Sequence, residues 1–164
     1  MSIAAGLWTL GGCAAAGRME GPQFVVRPKG YRVMPPTGWE RLDSKADLAL
    51  RHRTLEAGLM AHGTCDGRTP RRVPAVLARH LRFGLRDVRD LDEAPAAVAG
   101  RSGVQSRFTA RLDGTPVAVR AVTVTARDCA YDLIVVAPPD RVEQAAEDFA
   151  RFVDSFTLIG NAEP

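Results

Sequence analysis

The apolar and polar positions of this chain change period several times, and each change predicts an element. Phe24-Val25-Val26 and Tyr31-Arg32-Val33 are short apolar runs broken by Pro28 and Gly30, which reads as two brief strands. Pro35-Pro36-Thr37-Gly38 is a turn by composition and delivers Trp39 and Leu42 to a next strand. Over residues 48–55 the period is two, with Leu48, Leu50, His52 and Thr54 on one face and Ala49, Arg51 and Arg53 on the other. That alternation marks a half-buried strand. Glu56-Ala57-Gly58 then reads as a reversal into Leu59–Cys65, a hairpin with glycine at the left-handed position.

From 72 to 88 the period becomes helical. Val73, Val76, Leu77, Leu81, Leu85 and Val88 share one half of the wheel, and Arg72, Arg79, Arg82, Arg86 and Arg89 gather opposite. Thr69-Pro70 or Pro74 would start this helix, since proline is tolerated in a first turn, and His80 falls at its boundary. Asp90–Gly100, rich in Ala, Pro and acid, reads as a loop. Val104, Ser106, Phe108, Ala110 and Leu112 alternate with Gln105, Arg107, Thr109 and Arg111, and Asp113-Gly114 is a tight-turn signal before Val117–Thr125. A second turn near Arg127-Asp128 leads to Tyr131–Ala137, apolar enough to lie in the middle of a sheet. Pro138-Pro139 stops that strand, Asp140 and Glu143 have capping-box spacing, and a final helix over about 140–156 aligns Val142, Ala146, Phe149, Phe152, Val153 and Phe156.

The fold class these elements predict is α+β: an antiparallel β-sheet of about six strands flanked by helices. With 164 residues, 46% hydrophobic and 25% charged, the chain fits one domain able to bury most of its apolar surface unaided. The net charge of +3 hides a bias, for the basic side chains are arginines except Lys29 and Lys45. The arginine face of 72–89 is either a solvated face or a surface for an acidic partner or anionic lipid headgroups. Nucleic acid is not expected, because aromatic residues are only 6% and those that can be placed belong to the core.

No Walker loop, Gly-x-Ser-x-Gly elbow, His-Glu-x-x-His helix or Cys-x-x-Cys pair is present, so the reading is non-catalytic and without a cofactor. One constellation could carry chemistry. A three-residue loop at 56–58 would pair His52 with His62 on one strand face, about 5 Å apart at Cβ. Two imidazoles there could bind a transition metal with Asp66 as a third ligand, or could be ordinary polar residues of a partly exposed face. Cys65 and Cys129 both fall at strand ends. In an oxidising compartment they would tend to bridge; otherwise they are separate thiols.

Ser2–Gly17 carries no charged side chain and runs through Leu10-Gly11-Gly12-Cys13. It falls short of the roughly 20 strongly apolar residues of a membrane span. Leu-Gly-Gly-Cys resembles the lipobox of bacterial lipoprotein signals, which implies lipidation of Cys13, a signal over residues 1–12, a tether over 13–22 and a membrane held through the lipid. With Ala14 after the Cys, the resemblance implies an outer-membrane lipoprotein facing the periplasm.

Gly30-Tyr31-Arg32-Val33-Met34-Pro35 with Gly38-Trp39, and Tyr131–Ala137 followed by Pro139 and a helix ending at Phe156, together resemble the PsbP/Mog-like superfamily over about residues 23–158, leaving 159–164 as a tail. The resemblance implies an α/β/α sandwich and a role in partner binding, since the superfamily includes photosystem-associated proteins, a nuclear import factor, bacterial lipoproteins and adaptor chaperones that load type VI secretion effectors. Three roles follow: a membrane-anchored envelope binding or scaffold module, a cytoplasmic adaptor or chaperone with a protein partner, and a metal-binding protein using His52 and His62.

Overall fold

A computed structural model of the chain describes residues 17–66 and 74–160. Among these residues, eleven strands form two antiparallel sheets. The smaller has the order β1-β2-β3-β11, from Arg18–Glu20, Gln23–Val26, Tyr31–Val33 and Thr157–Leu158. The larger has the order β4-β5-β6-β10-β9-β8-β7, from Glu40–Leu42, Leu48–His52, Ala57–Cys65, Cys129–Ala137, Thr115–Ala126, Arg101–Leu112 and Arg86–Val98. The helices are α1, Pro74–Ala78, and α2, Val142–Asp154. The expected sheet of about six strands with flanking helices is thus corrected to two sheets and two short helices.

Strands β7 to β10 form a meander because three two-residue turns reverse it. Asp113-Gly114 has both residues at positive φ, as the sequence predicted, and joins Leu112 to its partner Thr115. Ala99-Gly100 does the same between β7 and β8, and Arg127 takes the left-handed conformation between β9 and β10. Strand β10 lies between β6 and β9, covered on both faces, as its continuous apolar run requires.

The two faces of the large sheet carry separate cores. One face packs under α2 and the small sheet, with Tyr31, Leu48, Leu59, Tyr131, Leu133, Phe149, Phe152 and Phe156 all buried. The other holds Phe108, Val117, Val119 and Ile134, covered in part by Leu81, Leu85 and Val88. Helix α2 buries Val142, Ala145, Phe149 and Phe152, so the predicted stripe holds at Val142, Phe149 and Phe152, while Ala145 rather than Ala146 is buried and Phe156 is buried beyond the helix end. The capping box is not formed: Arg141 stands at the N-cap and no side chain bonds there.

Two expectations fail in the crossover from β6 to β7. Over its described residues, from Pro74 on, the helix predicted over 72–88 is a five-residue α1, a 3-10 turn over Arg79–Arg82 and the start of β7. The loop predicted over Asp90–Gly100 is the body of β7. Leu81, Leu85 and Val88 all face one core from three kinds of backbone, which produced the misleading helical spacing. Strand β7 hides its alternation through two register shifts before Asp92, with Asp87 and Asp90 at positive φ. Within the stretch read as a tether, Arg18–Glu20 pairs with β2.

Candidate functional site

The histidine pair is not formed. The β5–β6 turn is Arg53–Glu56, with Glu56 rather than Gly58 at positive φ, so His52 pairs with Ala57. His52 lies on the α2 face, its ring edge-on to Trp39 at 5.5 Å, and its Nδ1 accepts the Leu55 amide at 3.3 Å. His62 lies on the opposite face as the cross-strand partner of Asp132. Among the described residues no group of three His, Cys, Asp or Glu could hold a metal ion, and Asp66 joins neither histidine in such a group. A shift of register moved each imidazole to its own surface.

The two cysteines do meet. Cys65 and Cys129 are directly opposite in β6 and β10 and are joined by a disulfide that closes a sequence separation of 64. Cys13 lies outside the described residues.

The structure assembles a polar knot that no motif announced. Asp47, just before β5, is buried; its Oδ1 accepts Lys29 Nζ at 2.6 Å, and its Oδ2 accepts the Tyr31 hydroxyl at 2.9 Å and the Gly63 amide at 2.8 Å. Tyr131 donates its hydroxyl to the Lys29 carbonyl at 2.7 Å, and the rings of Tyr31, Tyr131 and Phe156 pack together with centroids 5.3 to 5.5 Å apart. Burial, then the negative charge of Asp47, raises the Tyr31 hydroxyl far above the phenol range. Gly63 belongs here because a Cβ would lie 3.1 Å from Lys29 Cδ and 3.2 Å from the Tyr131 ring. The knot ties the small sheet to the large one. Its only advance sign was that Lys29 is a rare lysine in an arginine-rich chain.

A second carboxylate, the half-buried Asp132, accepts Thr123 Oγ1 at 2.6 Å. Burial raises its pKa above the ordinary 3.8, against the opposing pull of Thr123, His62 and His80. A carboxyl raised on folding binds more protons folded than unfolded between its two pKa values, so its contribution falls as pH rises through that interval. Asp132→Asn keeps an acceptor for Thr123. Thermal melts from about pH 4 to about pH 7 should show the variant gaining on the parent as pH rises; parallel curves would contradict this.

Among the described residues a concavity runs between α2 and strands β8 and β9. It measures about 340 Å³, with Val122 and Phe149 in its lining and Gln105, Ser106, Arg107, Arg120 and Asp154 as its polar members. Arg107 pairs with Asp92 at 3.0 Å and Arg120 with Glu143, so both guanidinium groups are already answered. Trp39 fixes the middle of α2 by donating Nε1 to Asp148 at 2.8 Å.

The predicted arginine face is divided between elements. Arg79 and Arg82 lie on the 3-10 turn and Arg86 and Arg89 on β7, while Arg72 lies outside the described residues. Arg82 comes within 3.9 Å of Glu93, whereas Arg79, Arg86 and Arg89 are exposed. His80 is exposed, with Nδ1 3.2 Å from the Leu77 carbonyl.

The fold resembles that of solved structures at low sequence identity. Cyanobacterial PsbP (CyanoP) from Synechocystis sp. PCC 6803 matches with a TM-score of 0.63 and 16% identity, over 93% of this chain and 98% of its own. LpqN, involved in cell envelope biogenesis of Mycobacterium tuberculosis, matches with a TM-score of 0.59 and 16% identity, over 79% of this chain and 83% of its own. PA94 of Pseudomonas aeruginosa, a protein of unknown function, matches with a TM-score of 0.53 and 13% identity, over 80% and 92%. No family model matches the sequence, and no curated protein matches it. The chain has a PsbP-like fold. Among the described residues, no helix is long and apolar enough to cross a membrane.

Proposed function

We propose that the chain is an exported envelope lipoprotein, anchored through Cys13, whose PsbP-like domain is a non-catalytic binding or scaffold module. The observation that carries this reading is the Cys65–Cys129 bridge. Disulfides persist in oxidising compartments and are rare where glutathione and thioredoxin keep thiols reduced. Leu10-Gly11-Gly12-Cys13 supplies the matching address, and LpqN, which shares the fold, acts in cell envelope biogenesis. A binding role is supported by where the buried and half-buried polar groups go. Asp47, Tyr31 and Asp132 are each engaged in internal hydrogen bonds, and so are not poised as converging acid, base or nucleophile.

Multiple acyl chains would hold the domain firmly at a membrane surface. In fractionated cells, Cys13→Ala should move the protein from the membrane to the soluble fraction. An unchanged membrane fraction would refute the anchor. An intact N-terminal Met and reduced Cys65 and Cys129 would instead favour a cytoplasmic adaptor.

A further inference from the structure

The segment between β6 and β7 turns two different faces. Ala78, Leu81 and Leu85 point into the sheet, while Val76, Arg79, His80 and Phe83 are exposed. Phe83 is 78% exposed, against 49% for the next most exposed large apolar residue among those described. Its ring is held by His80 at 5.3 Å. Gly84 follows at φ +82, with open space where a Cβ would be, so Phe83 projects from the apex of a turn. From Pro74 to Arg86 the chain contains Arg79, Arg82 and Arg86 and no carboxylate. Asp87, the first acid beyond, is taken by Arg111 at 3.5 Å. Neither Arg79 nor Arg86 is in an ion pair among the described residues.

We infer that this tip is a second contact with the membrane, in which Phe83 enters the interface of an anionic bilayer and Arg79 and Arg86 meet lipid phosphates. An apolar side chain left in water gains by entering the headgroup–acyl boundary, and guanidinium groups beside it bind phosphate in planar, forked geometry. A projecting ring needs a matching pocket on a protein partner, whereas hydrocarbon receives it without complementary shape. Negative leaflet charge adds roughly fivefold in affinity for each arginine near the surface. The contact does not depend on the acyl anchor.

The test uses the full chain carrying Cys13→Ala, so that no lipid is attached, co-sedimented with vesicles of phosphatidylcholine alone or mixed with phosphatidylglycerol. Binding is expected to the mixed vesicles and to weaken with added salt. Phe83→Ala should reduce it by roughly tenfold or more, and Arg79→Gln with Arg86→Gln by roughly fivefold per charge. Thermal melts should be unchanged in these variants, because the altered side chains are exposed. Equal or absent binding to the two vesicle types, or binding indifferent to both variants, would overturn the proposal. So would capture by an acidic polypeptide or DNA without vesicle binding. A failure here leaves the Cys13 anchor intact, and a failure of the anchor leaves this contact intact.

Discussion

Replacing Cys65 and Cys129 together by serine should lower the stability of the domain by about 4 kcal/mol. The bridge closes a separation of 64 residues, from β6 through the crossover and β7–β9 to β10. Without it, the unfolded chain regains the conformational freedom of that whole loop. In a domain of this size the loss amounts to a fall in Tm of roughly 10 °C. The two strands pair directly at this position, and the rest of their register is held by hydrogen bonds and side-chain burial. The serine variant should therefore fold to the same sheet, and reductant should lower the Tm of the parent while leaving the variant unmoved. A parent indifferent to reductant would show that the thiols are not joined in the isolated protein.

Asp47→Ala should cost about 3 kcal/mol. The substitution leaves the Tyr31 hydroxyl and the Gly63 amide without their acceptor and Lys29 without its counter-charge. Removing one member of a buried pair typically costs 3–5 kcal/mol. The lower end applies because the Lys29 side chain is 22% exposed and can turn its ammonium toward water. Asp47→Asn, which keeps an acceptor but not the charge, should fall between the parent and Asp47→Ala. Urea melts of the three proteins check the order, and equal midpoints would mean that the knot adds nothing to joining the sheets.

The parts of the fold legible in the sequence were those with one dominant local cause. Asp113-Gly114 fixed a hairpin through its turn conformation, and the Phe149–Phe152 stripe fixed α2 through burial. Leu133–Val136 announced a strand covered on both faces. Where two causes compete, the pattern misled. Arg86–Val98 is an edge strand whose bulges place Asp87 and Asp90 at positive φ, so neither alternation nor β-propensity marks it. The preceding apolar residues share a core without sharing a helix. The His52–His62 pairing failed for a smaller reason: glutamate, not glycine, took the left-handed position. The polar knot was illegible because nothing local distinguishes Asp47 from Asp43, which stays exposed. Only the docking of the small sheet decides which carboxylate is buried. The cysteine pairing could be anticipated from strand ends, since both lie where β6 and β10 finish or begin.

The most direct test of the account is the intact mass of the protein purified from membranes of its native cells, taken without reductant. The expected species begins at Cys13, carries the added mass of acyl chains, and lacks the two hydrogens lost in joining Cys65 to Cys129. A chain that still begins at Met1, with no added mass and with all three thiols free, would contradict the envelope assignment and leave a PsbP-like domain whose place in the cell must be sought elsewhere.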